Sequence, residues 1–114
     1  MAKRKDRVAP PPEKGGWDIR FASNQAAREW DELCNTASAN TRRAWNDITR
    51  DPRRHSSRQA RLRKEFGAKQ LEGKVLEQWQ HEVTAGGRIW YCPDDDTKTV
   101  WVTAVYIGHP KSTE

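Results

Sequence analysis

Six tryptophans are distributed along a chain in which polar residues dominate. The chain has 114 residues, of which 34% are hydrophobic and 32% are charged, so its apolar material is enough for one small domain at most. Each buried tryptophan removes roughly 150–250 Å² from water. The composition therefore favours a thin core between one β-sheet and a pair of helices. The tryptophans that we assign to this core are Trp17, Trp30, Trp45 and Trp79.

The charge balance favours an acidic partner. Lysine and arginine together number 21, against 16 aspartate and glutamate residues, which gives a formal net charge of +5. A basic domain of this kind is suited to nucleic acid, to the ribosome or to an acidic protein, and charge alone does not choose among them.

Neither a signal peptide nor a membrane span is predicted. The basic residues 2–7 are followed by residues 10–16, which contain prolines and glycines where a signal peptide needs an apolar run. No apolar run reaches transmembrane length. Cys34 and Cys92 form no disulfide framework, so reduced thiols are expected. We therefore expect a cytoplasmic protein with no membrane partner.

The first sixteen residues differ from the rest of the chain. They are basic, rich in proline and without hydrophobic periodicity, which predicts a flexible leader that stays outside the core of a domain at residues 17–114. Trp17, Ile19 and Phe21 then alternate with polar residues, and this period of two is typical of a strand with one buried face.

Two helical stripes follow this strand. Ser23 or Asn24 can cap the first helix, and its stripe consists of Ala27, Trp30 and Leu33, with Cys34 beside them. A break around residues 35–40 precedes a second helix, which ends before Pro52. The apolar face of the second helix consists of Thr41, Ala44, Trp45 and Ile48. Two short helices joined so closely predict an antiparallel helical hairpin.

Residues 53–69 are rich in arginine and lysine, with Glu65 as their one acid. One interpretation is a solvated extension of the helix or a loop. The other is an electrostatic cradle for phosphates, lying directly before the sheet that would carry the chemistry. The candidate RNA-binding residues of this segment are Arg58, Arg61, Arg63 and Lys64.

Three further strands are predicted at residues 77–84, 88–92 and 99–107. On the first, Trp79 and Val83 belong to the buried face. On the second, Ile89 and Tyr91 point inward, which leaves Arg88 and Trp90 on the open side of the sheet.

The open faces of these two strands coincide if Thr84 pairs with Arg88. That pairing requires a three-residue loop in which Gly87 takes the left-handed conformation of a bulged turn. The register then places Glu82 opposite Trp90 and diagonal to Arg88, within reach of a long side chain.

Three acids, Asp94, Asp95 and Asp96, occupy the next turn. A calcium loop needs further ligands that the sequence does not supply, so we interpret this segment as an ordinary turn. No metal and no other cofactor is expected.

The predicted order of one strand, two helices and three strands allows a family comparison. The residues that carry it most strongly are Leu71, Gly73 and Trp79, then Thr84, Arg88 and Tyr91, and finally Gly108 and His109. In order and spacing they resemble the RelE/ParE superfamily of toxins from type II toxin–antitoxin modules, and especially its YoeB/Txe-like branch. The resemblance covers most of residues 17–110. It implies an α+β fold, in which an antiparallel β-sheet packs against an N-terminal helical hairpin.

The resemblance also implies an activity. Toxins of this branch enter the ribosomal A site and cleave the mRNA there, with the RNA 2′-hydroxyl as nucleophile and without a metal. By motif position, Arg88 would stabilise charge on the scissile phosphate and His109 would be the general acid. Guanidinium and imidazole are suited to these roles. The implied partners are the 70S ribosome with its mRNA and a cognate antitoxin, whose acidic or amphipathic segment covers the basic groove.

Two positions depart from the YoeB-like pattern. Lys69 stands where those toxins place a glutamate base, and Pro110 stands where they have a tyrosine. Lys69 is then one candidate to orient or deprotonate the 2′-hydroxyl, and Glu82 on the open face is the other. Lys111 is the candidate to contact phosphate in place of the missing tyrosine.

Each of these residues has an alternative interpretation. Arg88 and Glu82 can form a simple cross-strand ion pair, and His109 can simply end its strand. We interpret His55 and His81 as structural or surface histidines. Trp90, on the open face, is a candidate for stacking a nucleobase.

Two other functions remain open from the sequence. One is a ParE-like toxin that binds DNA gyrase and cuts nothing. The other is a non-enzymatic RNA-binding module. A histidine at position 109 is of use to a nuclease and not to a gyrase inhibitor.

Overall fold

The protein is an α+β domain. A computed structural model describes residues 2–8 and 11–108, and these contain two helices and seven strands. In chain order the elements are β1 (Asp18–Phe21), α1 (Asn24–Thr36), α2 (Ser38–Arg50), β2 (Gln59–Arg61), a short 3₁₀ turn (Lys64–Gly67), β3 (Ala68–Leu71), β4 (Lys74–Glu77), β5 (Trp79–Glu82), β6 (Arg88–Asp94) and β7 (Thr99–Tyr106).

Five of the strands form one mixed sheet in the order β1-β7-β6-β5-β2. Strand β1 runs parallel to β7, and the other neighbours are antiparallel. The prediction of a purely antiparallel sheet is therefore wrong, because alternation along a strand identifies its buried face but not its partner. Parallel pairing needs a long connection, and here most of the chain lies between the two strands.

Strands β2, β3 and β4 are absent from the sequence-based prediction. They are three or four residues long, with β2 and β3 mostly exposed and β4 mostly half-buried, and they lack the alternation of apolar residues that reveals a half-buried strand. Strands β3 and β4 form a separate two-stranded sheet. The residues at their turn, Glu72 and Gly73, both have positive φ, at 52° and 76°, as a two-residue hairpin turn requires.

The helices begin and pack as their stripes predict. Ser23 caps α1, because its side-chain oxygen accepts a hydrogen bond from the Ala26 backbone N–H at 3.0 Å. One residue, Ala37, separates the two helices, so the break is shorter than the predicted one. The predicted stripe residues that are buried are Ala27, Trp30, Leu33, Thr41, Ala44, Trp45 and Ile48.

The core lies between these helices and one face of the five-stranded sheet. That face contributes residues such as Phe21, Ile89, Tyr91 and Val102, all buried. The Tyr91 hydroxyl is buried with them but donates to the Pro52 carbonyl at 2.7 Å. Within residues 2–8 and 11–108, neither helix has the length and apolarity needed to cross a membrane.

The N-terminal segment joins the fold. Residues 5–8 lie along the outer edge of β1, where Val8 N donates to Ile19 O at 2.8 Å and Phe21 N donates to Asp6 O at 3.1 Å. Val8 is only 2% exposed and belongs to the core. The expectation that the first sixteen residues stay outside the core is therefore wrong for Val8, a single apolar residue that no periodic pattern marks.

Candidate functional site

The hairpin of β5 and β6 places Glu82 directly opposite Arg88 and Gln80 opposite Trp90. The predicted pairing of Thr84 with Arg88 is wrong by two residues, and the loop has five residues, 83–87. A slip of two keeps every side chain on its predicted face. Accordingly, Arg88 and Trp90 lie on the open face, while their neighbours on β6 are buried.

Gly87 does not take the left-handed conformation that the three-residue loop required. It is needed for a different reason. A Cβ at this position would lie 2.6 Å from Thr84 Oγ1, and that oxygen accepts a hydrogen bond from Gly87 N at 2.8 Å. The close approach of the two residues shapes the loop that precedes Arg88.

The Arg88 guanidinium makes all its hydrogen bonds to described residues through Nη1. Its Nη1 donates to the carbonyls of Thr84 and Gly87, both at 3.0 Å, and more weakly to that of Ala85. The same nitrogen lies 3.7 Å from Glu82 Oε2. Among the described residues, Nε and Nη2 have no hydrogen-bond partner. These two nitrogens can therefore contact a phosphate while Nη1 fixes the side chain.

Three aromatic side chains form a row beside Arg88 on the open face. The ring of Trp90 lies between those of Phe66 and Tyr106, with centroid distances of 5.4 and 5.0 Å. Phe66 is 49% and Tyr106 46% exposed. Tyr106 also pairs directly with Arg88 across β6 and β7. We call Phe66, Trp90 and Tyr106 the aromatic row.

Sequence reasoning found Trp90 but missed the other two members of the row. Alternation does not reveal Tyr106, because strict alternation along β7 would put it on the buried face with Val100 and Val102. A register shift opposite Trp90 and Tyr91 turns it to the open face, where it pairs with Arg88. Phe66 gives no signal either. It follows a run of basic residues and reaches Trp90 only because the 3₁₀ turn folds over the sheet.

The cations of the basic segment, residues 53–69, lie on different parts of the surface. Arg58, exposed, lies beside the Glu82–Arg88 pair, because its carbonyl accepts a hydrogen bond from Glu82 N at 2.7 Å. Arg61 pairs with Trp79, whose ring lies on the face of the sheet that packs against the helices. The Arg61 guanidinium donates hydrogen bonds to the Gly67 carbonyl.

Arg63 and Lys64 are exposed at the start of the 3₁₀ turn that carries Phe66. The interpretation as a helix extension is wrong, because β2 and the 3₁₀ turn occupy this segment.

Lys69 lies in the small sheet, where it pairs with Leu76. In the part of the chain that the structure describes, no hydrogen bond or ion pair joins it to Arg88 or Glu82. Its charge acts instead on Cys92, whose pKa burial raises to about 12 against the opposing effect of Lys69. The structure thus brings Glu82, but not Lys69, into contact with Arg88.

His109 and Lys111 lie outside the described residues. The predicted general acid and the predicted additional phosphate contact therefore stay predictions. Gly108, the last described residue, lies two residues beyond the end of β7.

The other two histidines are located as we interpreted them. His81 is buried, with Nε2 2.9 Å from Asp47 Oδ2 and Nδ1 2.8 Å from the Glu82 carbonyl oxygen. His55 packs against the Trp79 ring at a centroid distance of 4.8 Å. His81 therefore ties α2 to β5 beneath the open face.

The acids at the end of β6 and in the turn after it form ion pairs with cations. Lys74 Nζ lies 2.9 Å from both carboxylate oxygens of Asp94 and 3.2 Å from Asp96. The Arg53 guanidinium binds Asp95 through two hydrogen bonds of 2.9 Å. Over residues 2–8 and 11–108, no group of three or more His, Cys, Asp or Glu side chains is arranged to hold a metal ion.

Comparison with protein-family models, with curated proteins and with solved structures found no match. The candidate site is therefore defined by its geometry. The Arg88 guanidinium is held through Nη1 and faces the Glu82 carboxylate, and the aromatic row lies on the same face of the sheet.

Proposed function

We propose that this protein is an endoribonuclease toxin of a type II toxin–antitoxin module, one that cleaves mRNA in the ribosomal A site. The observation that carries the proposal is the aromatic row beside the Glu82–Arg88 pair, all on the sheet face opposite the helices. A RelE-like arrangement, with β1, two helices and then β5 to β7, is part of the proposal.

The row is suited to single-stranded RNA. Bases that have been pulled out of a stack bind to exposed aromatic rings, and each such contact contributes about 1–3 kcal/mol. Bases inside a duplex do not present these faces. The net charge of +5 and the exposed cations Arg58, Arg63 and Lys64 around the row attract the phosphate backbone.

The chemistry proposed for this face is an internal transesterification. Glu82 takes the proton of the 2′-hydroxyl, and the 2′-oxygen attacks the adjacent phosphorus. The P–O5′ bond then breaks, and His109 protonates the leaving 5′-oxygen. The products are a 2′,3′-cyclic phosphate and a free 5′-hydroxyl. Arg88 stabilises the charge that develops on the phosphoryl oxygens through Nε and Nη2.

The partners belong to the same proposal. The 70S ribosome would present the mRNA in a single-stranded form. A cognate antitoxin with an acidic or amphipathic segment would cover the basic surface around Arg58 and Arg63.

An in vitro translation extract tests this function. Wild-type protein should truncate mRNA at the A-site codon, as primer extension detects, and His109→Ala and Arg88→Ala should not. Arg43→Ala is the matched control, because Arg43 is exposed on α2 and its side chain forms no hydrogen bond or ion pair with another described residue.

Two results would replace the proposal. Intact message together with blocked DNA gyrase supercoiling would indicate a gyrase inhibitor. RNA binding that depends on Trp90, with intact message in ribosome-bound complexes, would indicate a non-enzymatic RNA-binding module.

A further inference from the structure

A glutamine holds the central ring of the aromatic row. Gln80 lies directly across from Trp90 on the neighbouring strand, and its Oε1 accepts a hydrogen bond from Trp90 Nε1 at 3.0 Å. Both residues are half-buried on the open face. The role assigned to the open face in RNA cleavage does not by itself explain why a glutamine stands at this position.

The contacts of Trp90 with Phe66 and Tyr106 fix the plane of the indole ring but not which edge of the ring faces β5. Phe66 meets the indole at an interplanar angle of 57° and Tyr106 meets it at 68°. Tilted and edge-to-face contacts such as these persist when an indole turns over about its Cβ–Cγ bond, because the plane of the ring is unchanged. The hydrogen bond to Gln80 removes that freedom, because only one orientation directs the N–H group toward β5.

A second glutamine, Gln78, holds the 3₁₀ turn that carries Phe66, the neighbour of Trp90 in the aromatic row. Gln78 Nε2 donates to the Phe66 carbonyl at 2.9 Å, and Gln78 Oε1 accepts from the Thr103 hydroxyl. The 3₁₀ turn that carries Phe66 is thereby tied to the sheet. The row is accordingly ordered before any ligand arrives.

We infer that Gln80 is a positioning residue for RNA binding, which locks the indole of Trp90 in the orientation that the aromatic row presents to nucleobases. The inference rests on the proposed function, since it names how the same face is prepared for single-stranded RNA. Ordering a side chain in advance strengthens binding, because the ligand does not have to immobilise it. Gln80 contributes through Trp90 and not by contacting RNA.

A double-mutant cycle tests this coupling. Gln80→Met keeps the length of the side chain and removes the acceptor, and Trp90→Phe keeps an aromatic ring and removes the donor. The probe is a short fluorescein-labelled 2′-O-methyl RNA, which lacks the nucleophile and is not cleaved. Gln70→Met, on exposed β3, is the matched control.

Gln80→Met should weaken binding of this probe about 2- to 12-fold, the range for ordering one side chain. In the Trp90→Phe background the same substitution should change affinity less than about twofold. The indole N–H resonance of Trp90, assigned by its absence in Trp90→Phe, should move and exchange faster with solvent in Gln80→Met. The other indole resonances should stay in place, which reports that the variant is folded.

The outcomes separate this inference from the proposed function. An equal loss of affinity from Gln80→Met in both backgrounds would overturn the inference, since Gln80 would then act independently of the indole. Unchanged affinity in Gln80→Met, with weaker binding in Trp90→Ala, would also overturn it and leave the RNA-binding face intact. Unchanged affinity in Trp90→Ala would instead remove the basis of the proposed function.

Discussion

Glu82 and Arg88 face each other across strands β5 and β6, with 3.7 Å between Glu82 Oε2 and Arg88 Nη1. Both side chains are partly exposed, at 38% and 28%, so the ion pair itself contributes under about 1 kcal/mol to stability. In the proposed cleavage their proximity would let the carboxylate act on the 2′-hydroxyl while the guanidinium acts on the phosphate of the same nucleotide.

If the proposed function holds, removing the guanidinium should slow mRNA cleavage strongly with little effect on the fold. Arg88→Ala is expected to lower the rate of A-site cleavage by about 10²–10³-fold, the loss typical of one preorganised charge-stabilising group. Urea unfolding should show a loss of only about 1–2 kcal/mol, from the bonds to the loop carbonyls. Arg43→Ala, the matched control on α2, should change neither quantity. Cleavage at the wild-type rate in Arg88→Ala would remove the role assigned to this residue.

Glu82 and Lys69 should differ as candidate bases. Glu82→Gln is expected to slow single-turnover cleavage by about 10²–10⁴-fold, the usual contribution of a general base. Lys69→Ala should leave the rate nearly unchanged, because Lys69 pairs with Leu76 in the small sheet and makes no contact with Arg88 among the described residues. If Lys69→Ala instead cleaves more slowly than Glu82→Gln, Lys69 and not Glu82 supplies the base.

Val8 should stabilise the domain although it lies in the N-terminal segment. Val8→Ala is expected to lower the free energy of unfolding by about 2 kcal/mol, because two buried methyl groups are lost and a cavity remains. Val75→Ala is the matched control. Val75 is 73% exposed, so its truncation should change stability by less than about 0.5 kcal/mol. Equal midpoints of urea unfolding for the two variants would contradict the placement of Val8 in the core.

Acid should destabilise the protein through Glu77 and Asp94. The hydrogen bond from Trp79 Nε1, with help from Arg53, lowers the pKa of Glu77 below its ordinary 4.5. Burial alone would raise the pKa of Asp94, but the bonds to Lys74 outweigh it and lower that pKa below 3.8. A carboxyl group whose pKa is lowered on folding stabilises the folded protein at pH values above its ordinary pKa. This stabilisation is lost as the pH falls through the lowered pKa of the folded state.

Urea unfolding over a pH series measures this effect. Glu77→Gln should be less stable than wild type at neutral pH, and the difference should shrink as the pH falls below 4.5. Glu32→Gln, an exposed residue on α1, should follow the wild-type curve throughout. A constant difference between Glu77→Gln and wild type down to strongly acidic pH would show that Glu77 does not contribute by this linkage.

Local patterns in the sequence determined which faces are buried. The period of two in β6 assigned Ile89 and Tyr91 to the core and Arg88 and Trp90 to the open face, and the structure agrees. The helical stripes and the Ser23 cap were equally readable. These features depend on residues a few positions apart, whose relative directions the backbone geometry fixes.

Only the tertiary structure decided which segments meet. The pairing of Glu82 with Arg88, the parallel neighbour of β1 and the packing of Phe66 on Trp90 all join segments that no short pattern relates. A register shifted by two residues satisfies the same alternation, so the alternation cannot select one register. The close approach of Gly87 to Thr84 and the burial of Val8 against β1 likewise join residues that no repeating pattern relates.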